Sequence, residues 1–177
     1  MPNEAIFRTI ILCGIIAIRA PGLVAAELPL GGERYERFLE HPFLFVIGVT
    51  RNEVVRSLGP PKNYARKVER NRHDKTVRDV FQDFTYEGLE VRIAAFPGTN
   101  PPTVDLTEVR ITSARYQLKY GLRVGSSRKQ VRRILGRFDE NTETPTWEYE
   151  AHDGYLSLRF TFDNDRVTKI EWFNEYD

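Results

Sequence analysis

Residues 47–59 read I-G-V-T-R-N-E-V-V-R-S-L-G, and residues 124–136 read V-G-S-S-R-K-Q-V-R-R-I-L-G. Aligned at an offset of 77, they agree at six of 13 positions: Gly48/Gly125, Arg51/Arg128, Val54/Val131, Arg56/Arg133, Leu58/Leu135 and Gly59/Gly136. Three further pairs are conservative: Ile47/Val124, Thr50/Ser127 and Glu53/Gln130. A chain that spells one phrase twice is constrained to an architecture that uses the corresponding unit twice.

The matched positions are the ones that start and stop a helix. Thr50 and Glu53 stand in capping-box spacing: the hydroxyl accepts the amide three residues on, and the carboxylate returns a bond. Ser127 and Gln130 repeat that spacing. Val54 and Leu58 fall on one helix face, as do Val131 and Leu135, with Ile134 added. Gly59 and Gly136 stand where a helix ends in a residue of positive φ, and Pro60-Pro61 prevent continuation. Each phrase therefore predicts a short amphipathic helix.

The likeness extends past the helices. F-T-Y-E-G-L-E-V-R-I (84–93) parallels W-E-Y-E-A-H-D-G-Y-L-S-L-R-F (147–160), each a strand, a turn at Gly88 or Gly154, and a second strand with alternating apolar residues. L-T-E-V-R-I (106–111) answers V-T-K-I-E-W (167–172), with Asn164-Asp165 as the turn before the last strand. A helix at 33–40, ended before Pro42, and an additional strand at 62–69 belong to the first copy, as does the loop P-G-T-N-P-P (97–102). D-E-N-T-E-T-P-T (139–146) is a polar loop of the second. The expected fold class is α+β, with two tandem repeats, each a helical pair packed on one face of an antiparallel sheet. The first repeat fills 27–113 and the second 114–177.

The leading 26 residues have the layout of an export signal. Arg8 and the amino terminus precede an apolar run at 9–18, and Leu23-Val24-Ala25-Ala26 places small residues before a cleavage point after Ala26. A membrane anchor fits less well, because roughly 20 apolar residues are needed to span and Arg19 interrupts the run. The expected location is the periplasm or the exterior, without stable membrane insertion. Cys13 is the chain's only cysteine and leaves with the signal, so the mature protein has no disulfide. Without Arg8, Arg19 and Glu4, basic and acidic residues are equal in number. That balance argues against nucleic acid as a partner.

Glycine, then Thr or Ser two positions later, then Glu or Gln followed by Val, then Leu-Gly-x-Pro, resembles the small envelope domain of the BamE family (also SmpA or OmlA). G-V-T-R-N-E-V-V-R-S-L-G-P-P is the closer of the two copies. Two such units in tandem resemble the β-lactamase-inhibitory protein arrangement. The resemblance implies helices on one face of each sheet and a binding role rather than catalysis. The partner it implies is either an enzyme gripped by a concave sheet surface or a component of outer-membrane assembly. BamE is a lipid-anchored single unit, whereas this chain has two units and no lipid-bearing cysteine; the inhibitor has disulfides, whereas this chain has no mature cysteine.

Alternation names the side chains that leave the core. With Leu89, Val91 and Ile93 inside, Glu90 and Arg92 point out. With Leu156, Leu158 and Phe160 inside, Tyr155, Ser157 and Arg159 point out. Ile170 and Trp172 inside leave Lys169, Glu171 and Phe173 outside, and Val80, Phe84 and Tyr86 inside leave Phe81 and Asp83 outside. Phe81, Asp83, Arg92, Tyr155, Arg159, Glu171 and Phe173 form the candidate partner-binding set, because exposed aromatics and arginines carry large contact area and several hydrogen bonds. The opposing reading is an ordinary solvated sheet face. The turn at 152–155 and the loop at 97–102 are candidate plugs for an active-site cleft. Trp147, Tyr149 and Trp172 fit core better than a ligand cage. The basic stretch 62–75 is diluted by Glu69 and Asp74, and reads first as a solvated hairpin and second as a contact for phosphates or an acidic partner.

Nothing in the sequence spells a catalytic centre. His73-Asp74 and His152-Asp153 fall in turns, no Gly-x-Ser-x-Gly or His-Glu-x-x-His spacing occurs, and no metal or cofactor set is expected. The function expected is a non-catalytic exported inhibitor or immunity-type binder of another protein. The alternatives are an outer-membrane assembly factor and a small-ligand carrier.

Overall fold

The computed structural model describes residues 29–136 and 145–175. The export signal at 1–26 and most of the polar loop at 139–146 lie outside the described residues. Among the described residues, three α-helices, α1 (Glu33–Glu40), α2 (Arg51–Leu58) and α3 (Arg128–Leu135), accompany seven strands. These are β1 (Asn63–Arg70), β2 (Arg78–Tyr86), β3 (Leu89–Phe96), β4 (Thr103–Ile111), β5 (Thr146–Glu150), β6 (Leu156–Asp163) and β7 (Arg166–Asn174). All seven form one antiparallel sheet in the order β1-β2-β3-β4-β7-β6-β5.

This corrects the expected fold class. The chain does not build two repeats that each pair two helices with a sheet of their own. It builds one continuous sheet, closed at its middle by β4 against β7, with three short helices on one face. Among the described residues the second half has no helical pair: before α3 it carries only a 3-10 turn at Lys119–Gly121. The helix at 33–40 forms but does not serve the first half. Leu39 O accepts the Trp172 indole N–H at 2.7 Å, the Tyr35 hydroxyl donates to Glu150 O at 3.1 Å, and Leu30 N–H donates to Ile134 O at 2.7 Å. So α1 covers β5 to β7. The amphipathic pattern of Phe38 and Leu39 marks the face that must be buried, not the part of the sheet that receives it.

The repetition is written into the strand register. Val91 stands opposite Val109 and Leu89 opposite Ile111, as Phe160 stands opposite Ile170 and Leu158 opposite Trp172. Each half breaks register once, passing over Thr107 in β4 and Thr168 in β7. Each of those hydroxyls donates to a carbonyl of the neighbouring strand, Arg92 O at 3.4 Å and Thr161 O at 3.3 Å. A β-bulge of this kind re-aims a strand and is a built feature. The Thr of L-T-E-V-R-I and the Thr of V-T-K-I-E-W therefore do the same work. Where β4 meets β7, the corresponding residues Arg110 and Glu171 stand directly opposite each other. A local two-fold relation between the halves passes through that pair.

The helix ends are less symmetric than the phrase. Thr50 Oγ1 accepts Glu53 N–H at 3.3 Å, and Glu53 Oε2 accepts Thr50 N–H at 3.1 Å, which completes the box. Ser127 Oγ accepts Gln130 N–H at 3.1 Å, but the Gln130 amide turns to Gly121 O instead of returning the bond. The phrase's first glycine also has two reasons. A Cβ on Gly48 would clash with the Cβ and backbone of Glu53, whereas Gly125 has open space and a φ of +92°. The former makes room for the first turn of α2 at Glu53; the latter supplies a conformation other residues resist.

Between helices and sheet lies one core containing Val54, Val131, Phe84, Val91, Ile93, Leu158, Phe160 and Ile170. Trp147, Tyr149 and Trp172 are buried in it.

Candidate functional site

Among the described residues no helix lies on the sheet's other face, and the candidate residues mostly project from it. Phe81, Asp83, Arg92, Arg159 and Phe173 are half-buried there. Tyr155 lies in the turn before β6 and is exposed. Glu171 points outward as alternation requires, yet it is only 5% exposed, because Arg110 and Lys169 close over it at 3.1 Å and 2.9 Å.

Register decides what these groups do. Asp83, Arg92 and Glu108 stand side by side on β2, β3 and β4, and Arg92 binds Asp83 at 2.6 Å and Glu108 at 2.9 Å. Lys67 reaches Asp83 from β1 at 3.7 Å. One row along, Glu90, Arg110 and Glu171 stand side by side on β3, β4 and β7. Arg110 binds all three carboxylates within reach: Glu90 at 2.9 Å, Glu108 at 3.1 Å and Glu171 at 3.1 Å. The result is an unbroken ion lattice from Lys67 on β1 to Lys169 on β7. At β5 and β6, Arg159 Nη2 contacts both Glu148 oxygens at 2.8 Å and 3.0 Å, and Arg159 Cζ lies 5.2 Å from the Phe173 ring centroid.

The lattice holds its two arginines charged. The hydrogen bond to Asp83, with the fields of Asp83 and Glu108, raises the Arg92 pKa against the cost of burial. For Arg110 burial works to lower the pKa, but the hydrogen bond to Glu171 and the fields of Glu90 and Glu108 outweigh it. Both stay guanidinium at every pH at which a chain like this folds.

Chemically this face is a set of satisfied charges flanked by aromatics. Phe81 meets Phe96 edge-on at 6.3 Å near one flank, and Phe173, Arg159 and Tyr155 gather near the other. Asp83, Arg92 and Glu171 are already bonded, so they give the face a fixed charge pattern rather than free hydrogen-bonding capacity. The flanking aromatics and Arg159 are the groups that can add contact area.

The two candidate plugs lie at the same end of the sheet. The loop 97–102 follows β3; Thr99 Oγ1 donates to Phe96 O at 2.7 Å and accepts Thr103 N–H at 3.0 Å. Its Gly98 backbone approaches Val77 of the β1–β2 connection so closely that a Cβ would meet it at 2.9 Å. The turn 152–155 is tied to the end of β7 by Glu175 N–H to Tyr155 O at 2.7 Å and to α1 by His152 N–H to Glu36 Oε2 at 3.4 Å.

The histidine-aspartate pairs serve turns. Asn71 Oδ1 accepts the amides of His73 and Asp74, and Asp74 Oδ1 accepts both Thr76 N–H and its hydroxyl. Among the described residues, no group of three or more His, Cys, Asp or Glu is placed to hold a metal ion. No described helix is long and apolar enough to cross a membrane. A mainly apolar groove of about 400 Å³ lies between residues 46–49 and α2, with Glu53, Arg56 and Ser57 on its wall. Glu53 is committed to the Thr50 cap, which also lowers its pKa.

Sequence reasoning missed Glu108, Arg110 and Glu148, the residues that neutralise or organise the candidate set. Their signal is cross-strand: each becomes visible only once the β3–β4 and β5–β6 registers are known. It also ranked the basic stretch 62–75 low, although the arginines there keep free charge, as described below.

Comparison of the chain with protein-family models, curated proteins and solved structures finds no match.

Proposed function

We propose that this chain is an exported, non-catalytic protein-binding module, an inhibitor or immunity-type binder of an envelope or secreted enzyme, that docks through the helix-free face of its sheet. The observation that supports this reading most is the pre-ordered outer face. One ion lattice spans five adjacent strands, and the aromatic contacts Phe81–Phe96 and Arg159–Phe173 flank it. A surface whose side chains are already fixed loses little side-chain entropy on association. Its charge pattern selects a partner, while the flanking aromatics and Arg159 supply contact energy. The turn 152–155, beside Tyr155 and joined to β7, is the element placed to enter a cleft.

The test uses mature chain 27–177 as bait on envelope and secreted fractions, beside the Tyr155→Ala/Arg159→Ala variant. The expected result is stoichiometric retention of a hydrolase that loses activity when bound, with binding at least tenfold weaker for the variant. Equal retention by both proteins removes the outer face from the reading. Retention of an outer-membrane barrel or lipoprotein replaces the inhibitor role with assembly.

A further inference from the structure

Three exposed arginines on another surface have no ion-pair partner among the described residues. Arg66 and Arg70 on β1 and Arg78 on β2 project from the helix-side face of the β1–β2 hairpin, beyond the helices, and all are exposed. Arg70 and Arg78 stand directly opposite each other, a like-charge cross-strand pair that destabilises a sheet unless something neutralises it. Nothing described does. No carboxylate among the described residues lies within ion-pair distance of Arg66, Arg70 or Arg78. The nearby acids are occupied or face away: Asp79 is held by the Asn71 amide at 3.0 Å and 3.2 Å, Asp74 is held by Thr76, and Glu69 projects from the opposite face.

The same residues own a free backbone edge. Among the described residues, β1 is the first strand of the sheet and has a neighbour on one side only. Asn71 N–H donates to Val77 O in continuation of the β1–β2 register, so odd-numbered residues bond to β2. The amide and carbonyl groups of Tyr64, Arg66, Val68 and Arg70 therefore face outward. Their side chains share one face, with Val68 (42% exposed) between the two arginines.

The geometry points to β1 as a β-augmentation site for an extended acidic segment of a partner protein, one with carboxylates four residues apart and an apolar residue midway. Such a strand completes the ladder on the free edge, places carboxylates beside Arg66 and Arg70, relieves the Arg70–Arg78 repulsion and covers Val68. A second copy of this chain fits poorly, because antiparallel self-pairing sets the cationic strand against itself. A polyanion matches the charge but offers no ladder. The inference deepens the protein-binding reading by naming a partner segment. Its site is separate from the outer face, so the two tests fail independently.

The probe is an acetylated, amidated peptide with the pattern T-E-T-V-T-E-T, followed by amide NMR and hydrogen exchange on the mature chain. The expected result is protection of the Tyr64, Arg66, Val68 and Arg70 amides, which exchange freely without peptide. Affinity should fall at least tenfold when Lys replaces Glu in the peptide or when its alternate nitrogens are methylated. Val68→Pro removes an outward amide without touching a β2 bond and should abolish binding. If that variant does not fold, Arg66→Glu/Arg70→Glu decides, with the same loss expected. Tyr155→Ala/Arg159→Ala should bind the peptide normally. Binding without amide protection, equal binding by the methylated peptide, or stronger binding to a short DNA duplex overturns the proposal. So does a concentration-dependent dimer that protects the same amides without peptide.

Discussion

Two groups of arginines on one sheet have opposite fates. Arg92, Arg110 and Arg159 lie on strands with neighbours on both sides, and each has a carboxylate on an adjoining strand within 3.1 Å. Arg66, Arg70 and Arg78 lie on the edge hairpin; Arg66 faces Gln82, and the other two face each other. The residue type is the same in both groups; the face and the cross-strand neighbours differ. Arg92, Arg110 and Arg159 project from the helix-free face beside carboxylates on adjoining strands. Arg66 and Arg70 have one described neighbouring strand, and Arg78, although β2 lies between β1 and β3, precedes the β2–β3 register, which begins at Val80. Edge cations also deter indiscriminate strand pairing, which here leaves an edge open to an oppositely charged strand and closed to its own kind.

The largest test of this comparison is Arg110→Ala. Removing the cation leaves Glu171 (side chain 7% exposed) with Lys169 alone and Glu90 without its partner. Unpairing a buried charge costs 3–5 kcal/mol, but Arg110 is itself about one-third exposed, so solvent screening reduces the expected loss to about 2 kcal/mol in urea unfolding. A loss below about 0.5 kcal/mol, the scale of an ordinary surface pair, breaks the comparison: the lattice arginines are then as free as those of β1.

Arg110→Met/Glu171→Met separates attraction from the penalty of an orphaned charge. Replacing both partners of a buried pair by apolar groups is often close to neutral, so the double variant should recover stability to within about 1 kcal/mol of the parent. The same double variant erases the charge pattern at the middle of the outer face. If it unfolds as readily as Arg110→Ala, the lattice is a main source of stability and its service to a partner is secondary.

How much of this was written in the sequence depends on the range of the interaction. The Thr50–Glu53 box, the stops at Gly59 and Gly136, and the turns at Gly88 and Gly154 join residues a few positions apart and were legible. The duplicate bulge was half legible: Thr107 and Thr168 align, but their function requires the strand opposite. The destination of α1 was hidden, because Phe38 and Leu39 fit any apolar sheet face and only the meeting with Trp172 selects the second half. The closure of one sheet was hidden for a related reason, since nothing local marks Val109 and Ile111 as an edge that β7 will take. At the candidate site, alternation placed Glu171 on the correct face and could not foresee that Arg110, 61 positions earlier, would bury it.

The smallest prediction tests the sign of the difference. Arg78→Thr removes one member of the Arg70–Arg78 pair and introduces a residue that suits strands. It should raise stability by about 0.5 kcal/mol at low salt, within the range measured for cross-strand pairs. At 1 M salt the Debye length falls to about 3 Å, so the electrostatic part of that gain should vanish and only the strand preference remain. Arg159→Thr makes the same chemical change on the outer face. There it removes the Glu148 contact and the stacking on Phe173, so the sign reverses to a loss of about 1 kcal/mol. A gain at both positions, or a loss at both, means that register does not set the value of these charges. A gain at Arg78 that survives 1 M salt assigns the effect to strand preference, and the repulsion that makes β1 a candidate for an acidic strand is then already relieved by solvent.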